Sequence, residues 1–128
     1  MPSTLRRRTL LILGAVSSGL WLSQRVSAHH GWGWATDEEF SLTGTINAVT
    51  LGNPHGEVSL DVEGTVWIIE IGQPWRNQRA GLTEAILRLG QEVTVYGHRS
   101  AKSDERLVKA ERLVIAEQNY DLYPERAS

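Results

Sequence analysis

The chain contains 4 histidines, His29, His30, His55 and His98, and two of them are adjacent. If the chain is cut after Ala28, His29 becomes the first residue. Its free α-amino group, with a reference pKa of about 8, then lies beside its own imidazole. An amine and an imidazole on one residue form a chelate that favours Cu(II) among divalent ions. A further imidazole from a loop completes the three-nitrogen, T-shaped arrangement known as a histidine brace, and His55, placed in a turn, is the best candidate to supply it. A second geometry uses His30, which in second position can bind through its imidazole, the intervening amide nitrogen and the terminal amine. Both geometries need the cut after Ala28. The competing reading makes His29 and His30 a polar start to the mature chain with no ligand. His98 follows Gly97 at the end of a strand-like segment. It is the fourth candidate donor, ranked below His55 because such a residue is more often a solvated loop histidine beside Arg99.

Composition narrows the chemistry further. There is no cysteine, so disulfides, thiolate catalysis and zinc–thiolate sites are excluded, and any metal must be held by nitrogen and oxygen. No nucleophile elbow, phosphate loop or Ser–His–Asp spacing occurs, and no carboxylate pair is marked out for acid–base work. The expectation is therefore a protein that is not an enzyme. Trp32 and Trp34, interleaved with Gly31 and Gly33, offer two readings: a stacking surface for a sugar or a metal shield, or a plug for one end of a small barrel. Trp75, with Pro74, Arg76 and Arg79 in a polar stretch, could form a ligand rim or stack on an arginine. Trp67 reads as packing, and the acidic trio Asp37, Glu38, Glu39 as a solvated face.

Residues 1–28 read as a cleaved signal peptide. Arg6, Arg7 and Arg8 are a basic start, Leu10 to Leu22 are mostly apolar, and Val26-Ser27-Ala28 carries the small residues a cleavage site requires. About 13 apolar residues fall short of the roughly 20 needed to span a bilayer, so no stable membrane span is expected after cleavage. The arginine run leaves both the general and the twin-arginine export routes open. The expected location is periplasmic or otherwise exported. Export also changes the charge: the whole chain is −2, but Arg6, Arg7, Arg8 and Arg25 leave with the signal, and the mature domain carries about −6. An acidic domain lacks the basic footprint of a nucleic-acid binder, so no nucleic-acid partner is expected.

Residues 29–128 must then position the histidines as a single domain with irregular termini. From Phe40 the apolar residues recur with period two, through Leu42, Gly44 and Ile46. They resume out of phase at Val49 and Leu51, which predicts a long strand with a bulge near Asn47. Asn53-Pro54-His55-Gly56 is a turn signal. Val58, Leu60 and Val62 alternate up to the hairpin signal Glu63-Gly64, and Val66 to Ile71 form a third strand. The stretch from Gly72 to Gly81 reads as irregular, and Thr83 to Leu89, closed by Gly90, as a short helix. Glu92 to Tyr96 is a fourth strand, Gly97 to Glu105 a charged loop, Leu107 to Ile115 a fifth strand, and the tail from Glu117 has no period. Three strands, a short helix and two strands predict a mainly β fold. The expected form is a small five-stranded OB-fold-like barrel with the helix between strands 3 and 4. A small antiparallel sandwich is the rival, disfavoured because so short an open sheet exposes long edges.

Several segments together carry a resemblance: Ala28-His29-His30, Leu42-Thr43-Gly44-Thr45, Asn53-Pro54-His55 and Arg79-Ala80-Gly81-Leu82-Thr83. With them the chain resembles a family of small exported bacterial proteins classed as a domain of unknown function, over most of Ala28 to Ile115. The resemblance implies export and a small β-barrel-like domain, and no particular activity. The likeness to histidine-brace copper proteins is one of ligand type alone. Two functions follow as expectations. The first is a periplasmic carrier or buffer for Cu(II) that uses the N-terminal histidines with His55, its partners being the metal ion and another periplasmic protein. The second is a metal-free binding module that holds a glycan or a protein partner through Trp32, Trp34, Trp75 and the loop around His98.

Overall fold

The computed structural model describes residues 31–126. The long first strand, β1 (Phe40–Thr50), pairs antiparallel with β4 (Glu92–Arg99) along Phe40 to Thr45 and with β2 (Glu57–Val62) along Thr45 to Thr50. One strand can serve both neighbours because it bends. Its register with β2 shifts between Ile46 and Ala48, so the extra residue of the bulge is Asn47, where the change of phase predicts it. Gly44 lies at the changeover, and a Cβ there would stand 2.6 Å from the Asp61 carbonyl oxygen, so a side chain would force β1 and β2 apart.

β2 returns as β3 (Thr65–Glu70) through Glu63 and Gly64, whose φ angles of 52° and 82° make the left-handed turn that suits the strand twist. β3 then pairs in parallel with β5 (Leu107–Ile115) at Ile68–Leu107, Ile69–Val108 and Glu70–Lys109. β5 is also antiparallel to β4. The ring β1–β2–β3–β5–β4 is thereby closed, giving the five-stranded barrel of the OB-fold rather than a sandwich. Alternate residues fill its interior, among them Ile46, Val58, Leu60, Ile69, Val93, Val95, Val108 and Leu113, all essentially without solvent contact.

Three local expectations need correction. The helix lies at Pro74–Ala80 (α1), not at Thr83 to Leu89. Proline is well suited to the first helical turn, and Gly81 takes the left-handed cap position with φ 82°, its N–H bonded to the carbonyls of Asn77 and Gln78. From Thr83 only a single turn forms, with Ile86 and Leu87 N–H groups on the Thr83 carbonyl, because Gly90 is already tied to Ile46 of β1 by a 2.8 Å hydrogen bond. The fourth strand runs on to Arg99, so His98 is a strand residue and not a loop one. The tail also contributes a sixth strand, β6 (Gln118–Asp121), paired with β5. Its turn uses Ala116 and Glu117 at φ 50° and 67°, a left-handed turn without the glycine or asparagine that would announce it. Tyr120 and Leu122 bury themselves as a result. A short 3-10 helix, Pro124–Arg126, ends the described chain, and among the described residues no helix is long and apolar enough to cross a membrane.

Candidate functional site

At one end of the barrel a cavity of about 260 Å³ is lined by His55, Glu70, Lys109, Arg76, Trp32, Tyr123 and, at the N-terminal limit of the described chain, Gly31. Each side chain has a defined support. His55 is carried by the β1–β2 turn, in which the Asn53–Pro54 peptide is cis. The next residue, Gly56, is fixed by two backbone bonds of 3.0 Å, one to Gly72 and one from Ile71. His55 Nδ1 lies 3.3 Å from the Gly56 carbonyl oxygen, which can only accept. If Nδ1–H donates there, Nε2 keeps its lone pair; if Nε2 carries the proton, it faces the Glu70 carboxylate.

That Nε2 stands 3.6 Å from Oε1 of Glu70, the last residue of β3. The same oxygen accepts a 2.7 Å hydrogen bond from Lys109 Nζ. Glu70 and Lys109 are each only 4% exposed, and they occupy partnered positions in the parallel β3–β5 contact. A buried carboxylate and a buried ammonium persist only when paired. The strand register that closes the barrel supplies that pairing. The β3–α1 corner beside them is held by Asn77, buried, whose Oδ1 accepts the Gly72 N–H and whose Nδ2 donates to the Gly72 carbonyl, both at 2.8 Å. On the far wall the Lys109 ammonium lies 5.1 Å from the Trp32 ring centre and 5.7 Å from that of Tyr123, within cation–π range. Arg76 stacks over Tyr123 at 4.0 Å and donates to the Leu122 carbonyl at 2.8 Å and to Glu125 at 3.2 Å. The Glu125 carboxyl is held below its ordinary value, first by a backbone hydrogen bond and then by Arg76, against a partial desolvation that acts the other way.

His98 belongs elsewhere. A second cavity, of about 350 Å³, is lined by His98, Glu111, Arg126, Asp37 and Glu39. His98 is 7% exposed. Its Nε2 is 2.7 Å from Glu111 Oε1, which also accepts from Arg126 Nε at 3.2 Å, while His98 Nδ1 is buried and has no hydrogen-bond partner among the described residues. Trp32 touches residues of both cavities, with its ring 5.6 Å from His98 and 5.0 Å from Tyr123, each edge-on. The structure thus brings His55 together with Glu70 and Lys109 and assigns His98 to a separate group with Glu111.

Of the other residues singled out by sequence, Trp34 is buried, with its carbonyl accepting the Ala101 N–H. Trp75 is 51% exposed outside both cavities, with Arg76 and Arg79 over its ring at 4.7 and 5.1 Å. His29 and His30 lie outside the described residues. Glu70 and Lys109 escaped sequence reasoning. The signal available was a charge at the end of one apolar strand and a lysine inside another, a pattern shared with many solvated strand ends. Among the described residues no group of three or more His, Asp or Glu side chains could hold a metal ion.

The barrel is similar to solved structures of low sequence identity, a likeness that concerns the fold alone. One is the ZRD-deleted mutant of TiaS in complex with agmatine, with a TM-score of 0.51 and 17% identity, covering 66% of this chain and 26% of that one. Another is the S. pombe Stn1–Ten1 complex, with a TM-score of 0.49 and 17% identity, covering 62% and 59%. This chain therefore spans about a quarter of the length of the first. No curated protein matches the sequence. A family model does match it over residues 16–108, and the chain belongs to that family of unknown function, DUF6152.

Proposed function

We propose that this protein is an exported copper-binding protein, a carrier or buffer rather than an enzyme. Cu(II) is held by the amine and imidazole of His29, freed by cleavage after Ala28, together with the imidazole of His55, and His30 offers the alternative donor at the same terminus. The observation that carries this reading is the shared cavity: His55 and Gly31 line the same space, and His29 is two residues before Gly31. Two residues of chain reach roughly 7 Å at most, so an amine freed at His29 stays within that reach of Gly31. With the His55 Nδ1–H donating to the Gly56 carbonyl, Nε2 is the nitrogen left to act as the donor atom. His98, engaged with Glu111 in the other cavity, is outside this set.

The test is intact mass and N-terminal sequencing of untagged protein from the periplasm, followed by Cu(II) titration of the same sample. The expected result is a start at His29 with one-to-one binding that a single extra N-terminal residue abolishes. A different start, or binding no stronger than that of denatured protein, overturns the reading.

One observation favours a second reading, a metal-free module for a glycan or a protein partner: Trp75 is half exposed and flanked by Arg76 and Arg79. Trp34, being buried, offers it no surface. Quenching of tryptophan fluorescence by periplasmic glycans, with none by copper, would select this reading.

A further inference from the structure

We infer that the cavity of His98 and Glu111 is a seat for the guanidinium of an arginine on a basic partner polypeptide, and that Arg126 of this chain fills the seat when the partner is absent. The inference is independent of the copper reading, since His98, Glu111 and Arg126 do not line the His55 cavity. How Arg126 is held shows the chemistry. Its guanidinium carbon stands 4.0 Å from the centre of the Trp32 ring, and its Nε donates to Glu111 Oε1 at 3.2 Å. An aromatic face and a carboxylate are the partners that suit a planar guanidinium. Glu111 is fixed for this task by His98, whose Nε2 is 2.7 Å from the same oxygen. His98 is 7% exposed and lines the cavity, and its Nδ1 is buried with no hydrogen-bond partner among the described residues. With Glu111 ionised and the imidazole neutral, Nδ1 is an acceptor left over, and a guanidinium carries only donors.

Arg126 does not use the whole seat. The cavity is also lined by Asp37 and Glu39, both exposed, and its volume of about 350 Å³ is in the range that holds a small ligand. Three carboxylates therefore surround one guanidinium. Arg126 is also lightly committed, because its side chain is 41% exposed and it ends a 3-10 helix of three residues. Ion pairs this exposed hold weakly, so an incoming arginine that also meets Asp37 and Glu39 can replace it. The acidic rim continues through exposed Glu38, outside the cavity lining, which favours a basic polypeptide over a free guanidine. Its arginine takes the seat while neighbouring cations meet the rim.

Titration of the metal-free exported protein with an acetylated, amidated tripeptide carrying arginine between two lysines tests this, with binding read by calorimetry and tryptophan fluorescence. Arg126→Ala, which empties the seat, is expected to bind the peptide about tenfold tighter than wild type. Adding Glu111→Gln to Arg126→Ala is expected to remove that gain. Asp37→Asn with Glu39→Gln in the Arg126→Ala background is expected to weaken binding about threefold, and these exposed positions carry the test should Glu111→Gln fail to fold. A trilysine peptide is expected to bind about fivefold more weakly than the arginine peptide. No gain in Arg126→Ala, a gain that survives Glu111→Gln, or binding that ignores the rim variants overturns the inference. Trilysine bound equally well overturns the preference for guanidinium, and ethylguanidinium bound as tightly as the peptide overturns the polypeptide partner.

Discussion

The Glu70 carboxylate and the Lys109 ammonium meet at 2.7 Å on partnered residues of the parallel contact that closes the barrel. One ion pair therefore belongs both to the closure of the fold and to the wall of the cavity that holds His55.

The first prediction concerns stability without metal. Breaking the pair from one side, with Lys109→Met or Glu70→Gln, leaves a buried charge unanswered and is expected to cost about 3–5 kcal/mol, while the double variant recovers most of this loss. Urea unfolding of the four proteins as a double-mutant cycle measures it. Additive losses would show that the two groups do not stabilise each other.

Asn77 gives a second. Its amide satisfies both backbone groups of Gly72 at the β3–α1 corner. Asn77→Ala leaves the Gly72 N–H buried and unpaired, and a loss of about 2 kcal/mol is expected in thermal or urea unfolding. A variant as stable as wild type would mean that the corner rearranges to find another acceptor.

A third separates the two histidines. His55→Ala is expected to lower Cu(II) affinity at least tenfold, and His98→Gln to leave it within about twofold, since the two line different cavities. Isothermal titration of both variants decides the matter, and equal losses would join the cavities into one site.

Trp32 provides an optical check. Its ring lines the His55 cavity, whereas Trp75 lies outside it. Cu(II) is expected to quench intrinsic fluorescence, with Trp32→Phe removing a larger share of the quench than Trp75→Phe. The reverse order would move the metal towards α1.

Gly97 provides a purely steric one. A Cβ at this position would overlap the Lys109 carbonyl oxygen across the β4–β5 pairing, where the register shifts between Tyr96 and Gly97. Gly97→Ala is expected to destabilise by more than about 3 kcal/mol, because the obstruction is backbone and cannot rotate away. A near-neutral change in denaturant midpoint would show that β4 slides at this bulge.

By itself the sequence determined the strands of the barrel, because period two, bulge and hairpin signals are local. The bulge at Asn47 and the Glu63-Gly64 turn were legible for that reason, as was the count of five barrel strands. It misplaced the helix because Thr83 and Gly90 mimic caps, whereas the helix starts at Pro74 without a side-chain cap and ends at the Gly81 C-cap. It missed β6 because Ala116 and Glu117 carry no turn signature and are held by the burial of Tyr120 and Leu122. The same limit governs the site. The histidines stood out as residue types, and the turn holding His55 could be read from proline and glycine. What only the tertiary structure decided is which groups meet: His98 goes to Glu111, and His55 goes to Glu70 and Lys109. Glu70 and Lys109 are 39 residues apart, and their meeting depends on the parallel β3–β5 register, a long-range pairing that no local pattern encodes.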